Sequence, residues 1–389
     1  MGMAPAALAA IIFFGILTLW VPAYYPIAVF QAATFALASV AAWRGRHSLP
    51  RFAWPAVPFA CGVLWGVIQW ISGHTAYGFQ TRLAILKWAA FLCVFLLGTS
   101  WFREAGTRHR FLSAMLWFGF LLSILATVQS FSAKGRVFWL FETPYTDFVM
   151  GPMLSSNDYA AFIEALLPAA LYEAMCRRRG TLLHSTMAAV MYASVIVSAS
   201  RAGVALTTAE MVLVPLLVWV RREPIGASTG VRSLRIAILV VVLVAVVGAG
   251  PLWNRILEPD PMAGRREFAQ SSWQMAISHP WMGVGLGTWS TVYPAYALVD
   301  LGMTVNEAHD DWLQWTAEGG FPFGVMMVSL FLWSLRPAFR SVWGLGVIAV
   351  FLHALVDYPF ARPALGAWPI LVLSMIAASE GGRKHVGRP

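Results

Sequence analysis

Residues 1–43, MGMAPAALAAIIFFGILTLWVPAYYPIAVFQAATFALASVAAW, carry no charged side chain; the first is Arg44. A cleaved secretory leader opens with basic residues and has an apolar core of about 7–15 residues. This stretch has no basic start and is far longer, so it is expected to stay in the mature chain. At about 20 residues per crossing it holds two membrane helices with a turn near Pro22.

The rest of the chain repeats that texture. Of 389 residues, 59% are hydrophobic and 12% charged, with mean hydropathy +0.67. A soluble domain carries about 25% charged residues, so a soluble globule is excluded, and the apolar content excludes disorder. Apolar runs bounded by charges, Pro or Gly predict spans near 4–20, 22–43, 53–72, 83–102, 111–131, 157–176, 181–199, 202–220, 234–252, 310–335, 341–358 and 363–380. Barrel strands need only about 9–11 alternating residues, whereas these runs are longer and uniformly apolar. The reading is an all-α polytopic membrane protein with about 12 transmembrane helices.

Lys and Arg collect in cytoplasmic loops. With the N-terminus inside, the expected cytoplasmic segments hold 18 of the 27 basic residues: Arg44, Arg46, Arg51, Arg103, Arg108, Arg110, Arg177, Arg178, Arg179, Arg221, Arg222, Arg232, Arg235, Arg336, Arg340, Arg383, Lys384 and Arg388. Both termini are therefore expected in the cytoplasm. The net charge of +9 is assigned to topology and not to nucleic-acid binding. Cys61, Cys93 and Cys176 stand alone in apolar runs, with neither metal spacing nor a disulfide framework. The chain divides into helices 1–9 (residues 1–252), a large outer loop (253–309), helices 10–12 (310–380) and a basic cytoplasmic tail (381–389).

The outer side carries the residues suited to chemistry. Arg201, in Val-Ser-Ala-Ser-Arg-Ala-Gly, is expected at the bilayer edge between spans seven and eight, where it either anchors the helix end or holds a phosphate bidentately. Residues 264–278 form an amphipathic pattern with Phe268, Ser272 and Met275 on one stripe and Ala276 beside it. Arg265 and Arg266 stand in its first turn, a place suited to an anion, although pairing with Glu258, Asp260 or Glu267 is the simpler expectation. The Gly283-Val284-Gly285-Leu286-Gly287 turn lacks the strand of a dinucleotide loop and reads as backbone that approaches a ligand or the membrane. In Glu307-Ala308-His309-Asp310-Asp311-Trp312-Leu313-Gln314, followed by Glu318-Gly319-Gly320, His309 is the candidate general base. A lone His without a partner at i+3 or i+4 does not make a metal site. His353 and Asp357 sit four apart, and Asn157, Asp158 and Glu164 open span six. All five are expected near outer helix ends, as support for the site.

Together, Ser-Arg-Ala-Gly, then Gly-Arg-(x)14-Pro-(x)2-Gly-x-Gly-x-Gly, then Ala-His-Asp-Asp-x-Leu-Gln-(x)3-Glu-Gly-Gly resemble the bacterial O-antigen ligase and polymerase superfamily. Asn157-Asp158-Tyr159-Ala160 and His353-Ala354-Leu355-Val356-Asp357 extend the resemblance over the C-terminal two-thirds of the chain. It implies a class C-type glycosyltransferase fold acting on glycans carried by undecaprenyl diphosphate at the periplasmic face of the inner membrane, with no nucleotide sugar, metal ion or other cofactor. By position, Arg201 and Arg265 match the arginines thought to hold the diphosphate, with Arg266 in reserve, and His309 the histidine thought to activate the acceptor hydroxyl. Asp310, Asp311, Glu318, Asn157, His353 and Asp357 are expected to support them. Asp310 stands where the pattern usually has Asn, and Ala269 where an aromatic is common. A ligase transferring to lipid A-core is the leading expectation. A polymerase using a second lipid-linked repeat is the main alternative, ahead of a protein O-oligosaccharyltransferase. A lipid-glycan transporter would place ionisable groups at mid-membrane in broken helices.

Overall fold

The computed structural model describes residues 2–44, 54–143, 149–177, 180–221, 229–258, 263–300, 302 and 304–386. Arg46, Arg51, Arg178, Arg179, Arg222, Asp260 and Arg388 lie outside the described residues, as do the side chains of Arg383 and Lys384.

The described chain is helical, with two isolated β-bridges as its only extended pairing. In chain order the helices are α1 Met3–Leu17, α2 Tyr25–Arg44, α3 Ala56–Ile71, α4 Gly78–Trp101, α5 Ala105–Ser132, α6 Ser156–Glu164, α7 Leu167–Cys176, α8 Thr181–Ser198, α9 Arg201–Val220, α10 Thr229–Val247, α11 Gly250–Ile256, α12 Ala263–Ser278, α13 Trp289–Val292, α14 Asp311–Ser341, α15 Gly346–His353 and α16 Pro363–Val386. Among the described residues nine helical segments are long and apolar enough to cross a membrane, α6 and α7 counting as one.

Twelve spans were expected, and three of them are shorter in the structure than a full crossing. α1 and α3 are apolar but have only 15 and 16 residues. The span expected over 341–358 shrinks to the eight residues of α15, because Val342 turns at φ 56° before it and the chain turns again after His353. Close packing explains why α15 begins where it does: a Cβ on Gly346 would lie 2.3 Å from the Glu164 backbone oxygen.

Two prolines shape the core. A helical proline cannot donate to the carbonyl four residues back. Pro168 stands four residues after Glu164, and α6 ends at Glu164. Pro322 stands four after Glu318, and α14 breaks at Gly320, whose φ is 76°. The segments α6–α7 and α16 are 83% buried over their apolar windows, whereas α10 is 11% buried and lies at the periphery. Phe162 of α6 and Trp368 of α16 stack at 4.7 Å, and the Trp368 indole N–H donates to the Phe162 carbonyl at 3.1 Å. The central bundle is thereby fixed beneath the loops that follow α10.

Candidate active site

The Ser-Ala-Ser-Arg-Ala-Gly segment is a helix-start device. Ala199 takes a left-handed turn (φ 56°), and the Ser200 hydroxyl caps α9 by accepting the Gly203 N–H at 3.1 Å. That hydroxyl donates to Asn157 Oδ1 at 2.7 Å, tying the start of α6 to the start of α9. Gly203 is required because a Cβ there would meet the Ala160 Cβ at 2.3 Å. Asn157 is thus a bracket for the turn. Arg201, first in α9, donates to the Arg255 carbonyl at 2.8 Å and pairs with Glu258 at 3.2 Å.

α12 follows the expected helix, and its expected stripe is its buried face: Phe268, Ser272, Met275 and Ala276 are all buried. It packs on α14. The expected acidic partners of its arginines are largely engaged elsewhere. Glu267 accepts from Tyr293, Ser271 and the Leu298 N–H, and Glu258 faces Arg201. Arg265 instead reaches Asp357 Oδ2 at 3.8 Å, while Arg266 is exposed.

The Gly-x-Gly-x-Gly turn corrects its reading as a ligand-facing loop. Its backbone approaches protein. A Cβ on Gly283 would lie 2.3 Å from the Glu318 carbonyl carbon and oxygen. Val284 N–H donates to the Ala317 carbonyl, and Gly285 N–H to the Glu318 carbonyl that Pro322 leaves without its helical donor, both at 3.0 Å. The Glu318 carboxylate accepts from Gly287 N–H at 2.8 Å, Trp289 N–H at 3.2 Å and Gln314 Nε2 at 3.2 Å. Buried Gln69 of α3 closes the lock, accepting from Leu286 N–H and donating to the Met282 and Glu318 carbonyls. Glu318 and Gly320 therefore clamp the loop to the kink of α14.

The residues around His309 fix the backbone that carries it. Gln314 accepts from Ala308 N–H at 2.9 Å and donates to Glu307 at 2.6 Å. Asp310 caps α14 by accepting from Leu313 N–H at 3.0 Å. Burial pushes the Asp310 carboxyl up to about 6, against the lowering effect of the Leu313 and Trp312 N–H groups. Asp311 N–H donates to the Ala354 and Asp357 carbonyls, and its carboxylate accepts from Phe360 N–H at 3.0 Å, which binds α14 to the turn after α15. His309 itself sits at φ 54°, its ring stacked 5.7 Å from Phe268 and edge-on to Tyr358 at 4.7 Å.

His309 Nδ1 lies 3.3 Å from Asp357 Oδ1, so Arg265 and His309 share one buried carboxylate. Burial alone would raise the Asp357 carboxyl, but the neighbouring His309, His353 and Arg265 hold it below the usual carboxylate value. An ionised Asp on Nδ1 orients the ring and leaves Nε2 for a substrate proton. His353 and Asp357 do not share a helix face as expected: α15 stops at His353, and Asp357 lies in the following turn with its N–H on the His353 carbonyl.

Sequence reasoning gave Arg255 no role. It donates to Ser156 Oγ at 2.9 Å and to the Ala199 carbonyl at 3.3 Å, bridging α6 and the Arg201 turn. Burial lowers its guanidinium, Glu258 works against that, and the charges of Arg201 and Arg265 lower it further. Arg201, Arg255 and Arg265 thus form one electrostatically coupled group. Arg362 bonds Tyr358 and interacts with Asp158 and Glu307. The signal for Arg255 was present: it is one of nine basic residues not absorbed by the cytoplasmic segments. Among the described residues no group of His, Cys, Asp and Glu could hold a metal ion.

Residues 186–328 match the protein family described as O-antigen ligase. The match supports the O-antigen ligase and polymerase superfamily and takes in Arg201, Arg255, Arg265, Arg266 and His309. The matched stretch is 143 of the 389 residues. No curated protein matches the chain.

Proposed function

We propose that the protein transfers a glycan from undecaprenyl diphosphate to a hydroxyl of a lipid A-core acceptor at the periplasmic face of the inner membrane, a reading that the match over residues 186–328 supports. The convergence of His309 and Arg265 on Asp357 carries the reading, because it sets a candidate base beside a cluster of fixed cations.

A sugar on a diphosphate already has a good leaving group, so catalysis needs charge stabilisation and a base at the acceptor. The acceptor oxygen bonds to the anomeric carbon as the bond from that carbon to the diphosphate oxygen breaks. The diphosphate leaves with the electron pair and the hydroxyl proton passes to His309 Nε2. Displacement in line inverts the anomeric centre. Arg201 and Arg265 neutralise the leaving diphosphate, with Arg255 holding Arg201 in place. The exposure of Arg266 argues for Arg265 as the nearer of the pair. The 253–309 loop caps the site and excludes water that would hydrolyse the donor. A cavity of about 310 Å³ at the ends of α5, α10 and α11 has Phe131, Met150, Val197 and Val247 on its wall beside Gln129 and Arg136, and so offers a mixed apolar and polar opening to a lipid-linked donor.

A polymerase differs only in its acceptor, a second lipid-linked repeat. The experiment supplies purified protein in nanodiscs with undecaprenyl-diphosphate glycan and either lipid A-core or a second lipid-linked repeat. Transfer to lipid A-core alone supports the ligase, and transfer to the repeat alone replaces it with the polymerase. Unimpaired transfer by both His309→Ala and Arg265→Ala sinks the mechanism.

A further inference from the structure

Behind Asp357, away from the arginines, lies a second set of ionisable groups that the transfer chemistry does not use. Glu164 was expected near a helix end at the membrane surface. It is instead the last residue of α6, at the Pro168 break, about 12 Å along the helix from Ser156 at 1.5 Å per residue. Its Oε1 lies 2.7 Å from His353 Nδ1, and both side chains are wholly buried, at 0% exposure. Glu210 of α9 is nine residues from Arg201, about 13.5 Å along the axis, and is also buried. The helices bearing these three residues pack together.

Their hydrogen bonding is incomplete. Glu164 Oε2, His353 Nε2 and both Glu210 carboxyl oxygens are buried without a hydrogen-bond partner among the described residues. Ionisable groups at this depth are costly and mark function by default. A purely structural role accounts poorly for Glu210, which contributes no bond, and a buried ion pair is itself weak evidence of stabilisation. His353 leads from this set to the site. The Asp357 N–H donates to its carbonyl at 3.0 Å, its imidazole interacts electrostatically with the Asp357 carboxylate, and Asp357 meets His309.

We propose that Glu164 and His353 are positioning residues that act on His309 through Asp357, and that Glu164 and Glu210 share a single proton that keeps His353 positively charged behind Asp357. The proposal's catalytic half rests on the transfer reading given above. The Glu210 carboxyl group interacts electrostatically with that of Glu164, on a helix packed against its own; two coupled carboxyl groups in a low-dielectric interior do not both ionise, so one carries the proton and the other pairs with the imidazolium. Asp357 then faces a cation on either side, His353 within the bundle and Arg265 at the opening, and stays ionised to hold the His309 ring.

Of the other charged or titratable groups around this set, α6 contributes Asp158 and Tyr159, α7 Tyr172 and Cys176, α8 Tyr192, α9 Arg201, and α14 Asp311, Glu318, Arg336 and Arg340. The turn after α15 contributes Asp357, Tyr358 and Arg362, while His309 and Arg265 come from the loop. α7 and α8 add Glu173 and His184, near the ends away from the site, and the described side chains of α16 add only Glu380 at its far end. None of the last three interposes between His353 and Asp357.

Glu164→Gln keeps the size of the side chain and removes its charge. Without its anion His353 gives up its proton, and the loss of that cation makes Asp357 easier to protonate. The acid limb of the pH–rate profile for glycan transfer should then move to higher pH by about one unit. The rate should fall about tenfold or more with the donor KM little changed, as for loss of a supporting hydrogen bond. His353→Asn should do the same, and Glu164→Asp should restore part of the wild-type profile. A lowered rate with an unmoved profile, or no change in either, overturns the positioning role.

The shared proton has its own readout. Infrared spectra of the protein in nanodiscs at neutral pH should show a protonated-carboxyl stretch that Glu210→Gln removes, and absence of that band overturns the shared proton whether or not the protein transfers glycan. Conversely, a band that behaves as expected in a protein that transfers to neither acceptor leaves the shared proton standing and removes the transfer reading.

Discussion

His309 Nδ1 and Asp357 Oδ1 stand 3.3 Å apart although 48 positions separate them in the chain. Asp311 makes the meeting possible. It is two residues beyond His309 and bonds the backbone at Ala354, Asp357 and Phe360 through its own N–H and carboxylate. The start of α14 and the turn after α15 are thus one unit.

If Asp357 works through His309, removing both should cost no more than removing His309. His309→Ala is expected to lower the transfer rate by about 10²–10⁴, the usual contribution of a general base. Asp357→Asn should cost less, and the double variant should match His309→Ala, since groups acting as a unit are not additive. Rates for the three variants in nanodiscs measure this. Multiplicative losses would mean that Asp357 meets the substrate on its own.

The same carboxylate sets a pH dependence. Its folded value lies below the ordinary Asp value of 3.8. A depressed acid contributes stability that is fully present above the unfolded value and is lost as pH falls through the folded one. Asp357 should therefore leave stability flat between about pH 5 and 8, with a decline only in acid. Thermal melts from pH 3 to 8 should show Asp357→Asn less stable at neutral pH and closer to wild type at about pH 3.

Asp310 has the opposite sign. Its carboxyl rises from 3.8 to about 6 through burial, so its contribution is fully present below the unfolded value and is lost as pH rises through the folded one. Asn caps a helix about as well as Asp and has no charge to desolvate. Asp310→Asn should therefore raise the melting temperature relative to wild type above about pH 6, with the gain disappearing below about pH 4. A gain that does not depend on pH would locate the effect elsewhere.

The apolar pattern and the amphipathic α12 were legible because each has a period or length that only one element satisfies. The number of spans was less legible, because breaks inside uniformly apolar runs are set by packing. Pro168 was visible as a residue, but Gly346 against the Glu164 carbonyl was not. Arg265 and His309 were readable as a basic turn and a lone His on one side of the chain. Their meeting at Asp357 was not, since only the tertiary contacts of Asp311 bring it about. The basic residues assigned to cytoplasmic segments also have a local role that a count does not reveal. Arg108 donates to the Phe102 carbonyl after α4, Arg221 to carbonyls at the end of α14, and Arg232 to those of Met175 and Arg177 at the end of α7. Cations at helix C-termini satisfy orphan carbonyls and complement the helix dipole.

Glu318 tests the division between clamp and chemistry. A conserved-size change, Glu318→Gln, replaces one acceptor oxygen with a donor. The carboxylate now accepts from the N–H groups of Gly287 and Trp289 and from Gln314, so one of these donors would face another donor in a buried setting. An unsatisfied buried polar group costs about 1–3 kcal/mol. The variant should melt earlier than wild type, and the folded fraction should transfer glycan within about threefold of the wild-type rate, a barrier change below about 1 kcal/mol. His309→Ala should show the reverse, with the melt nearly kept and transfer lost. Melts and single-turnover rates on the same samples separate the two. A Glu318→Gln protein that melts like wild type yet does not transfer would move Glu318 out of the clamp and onto the substrate.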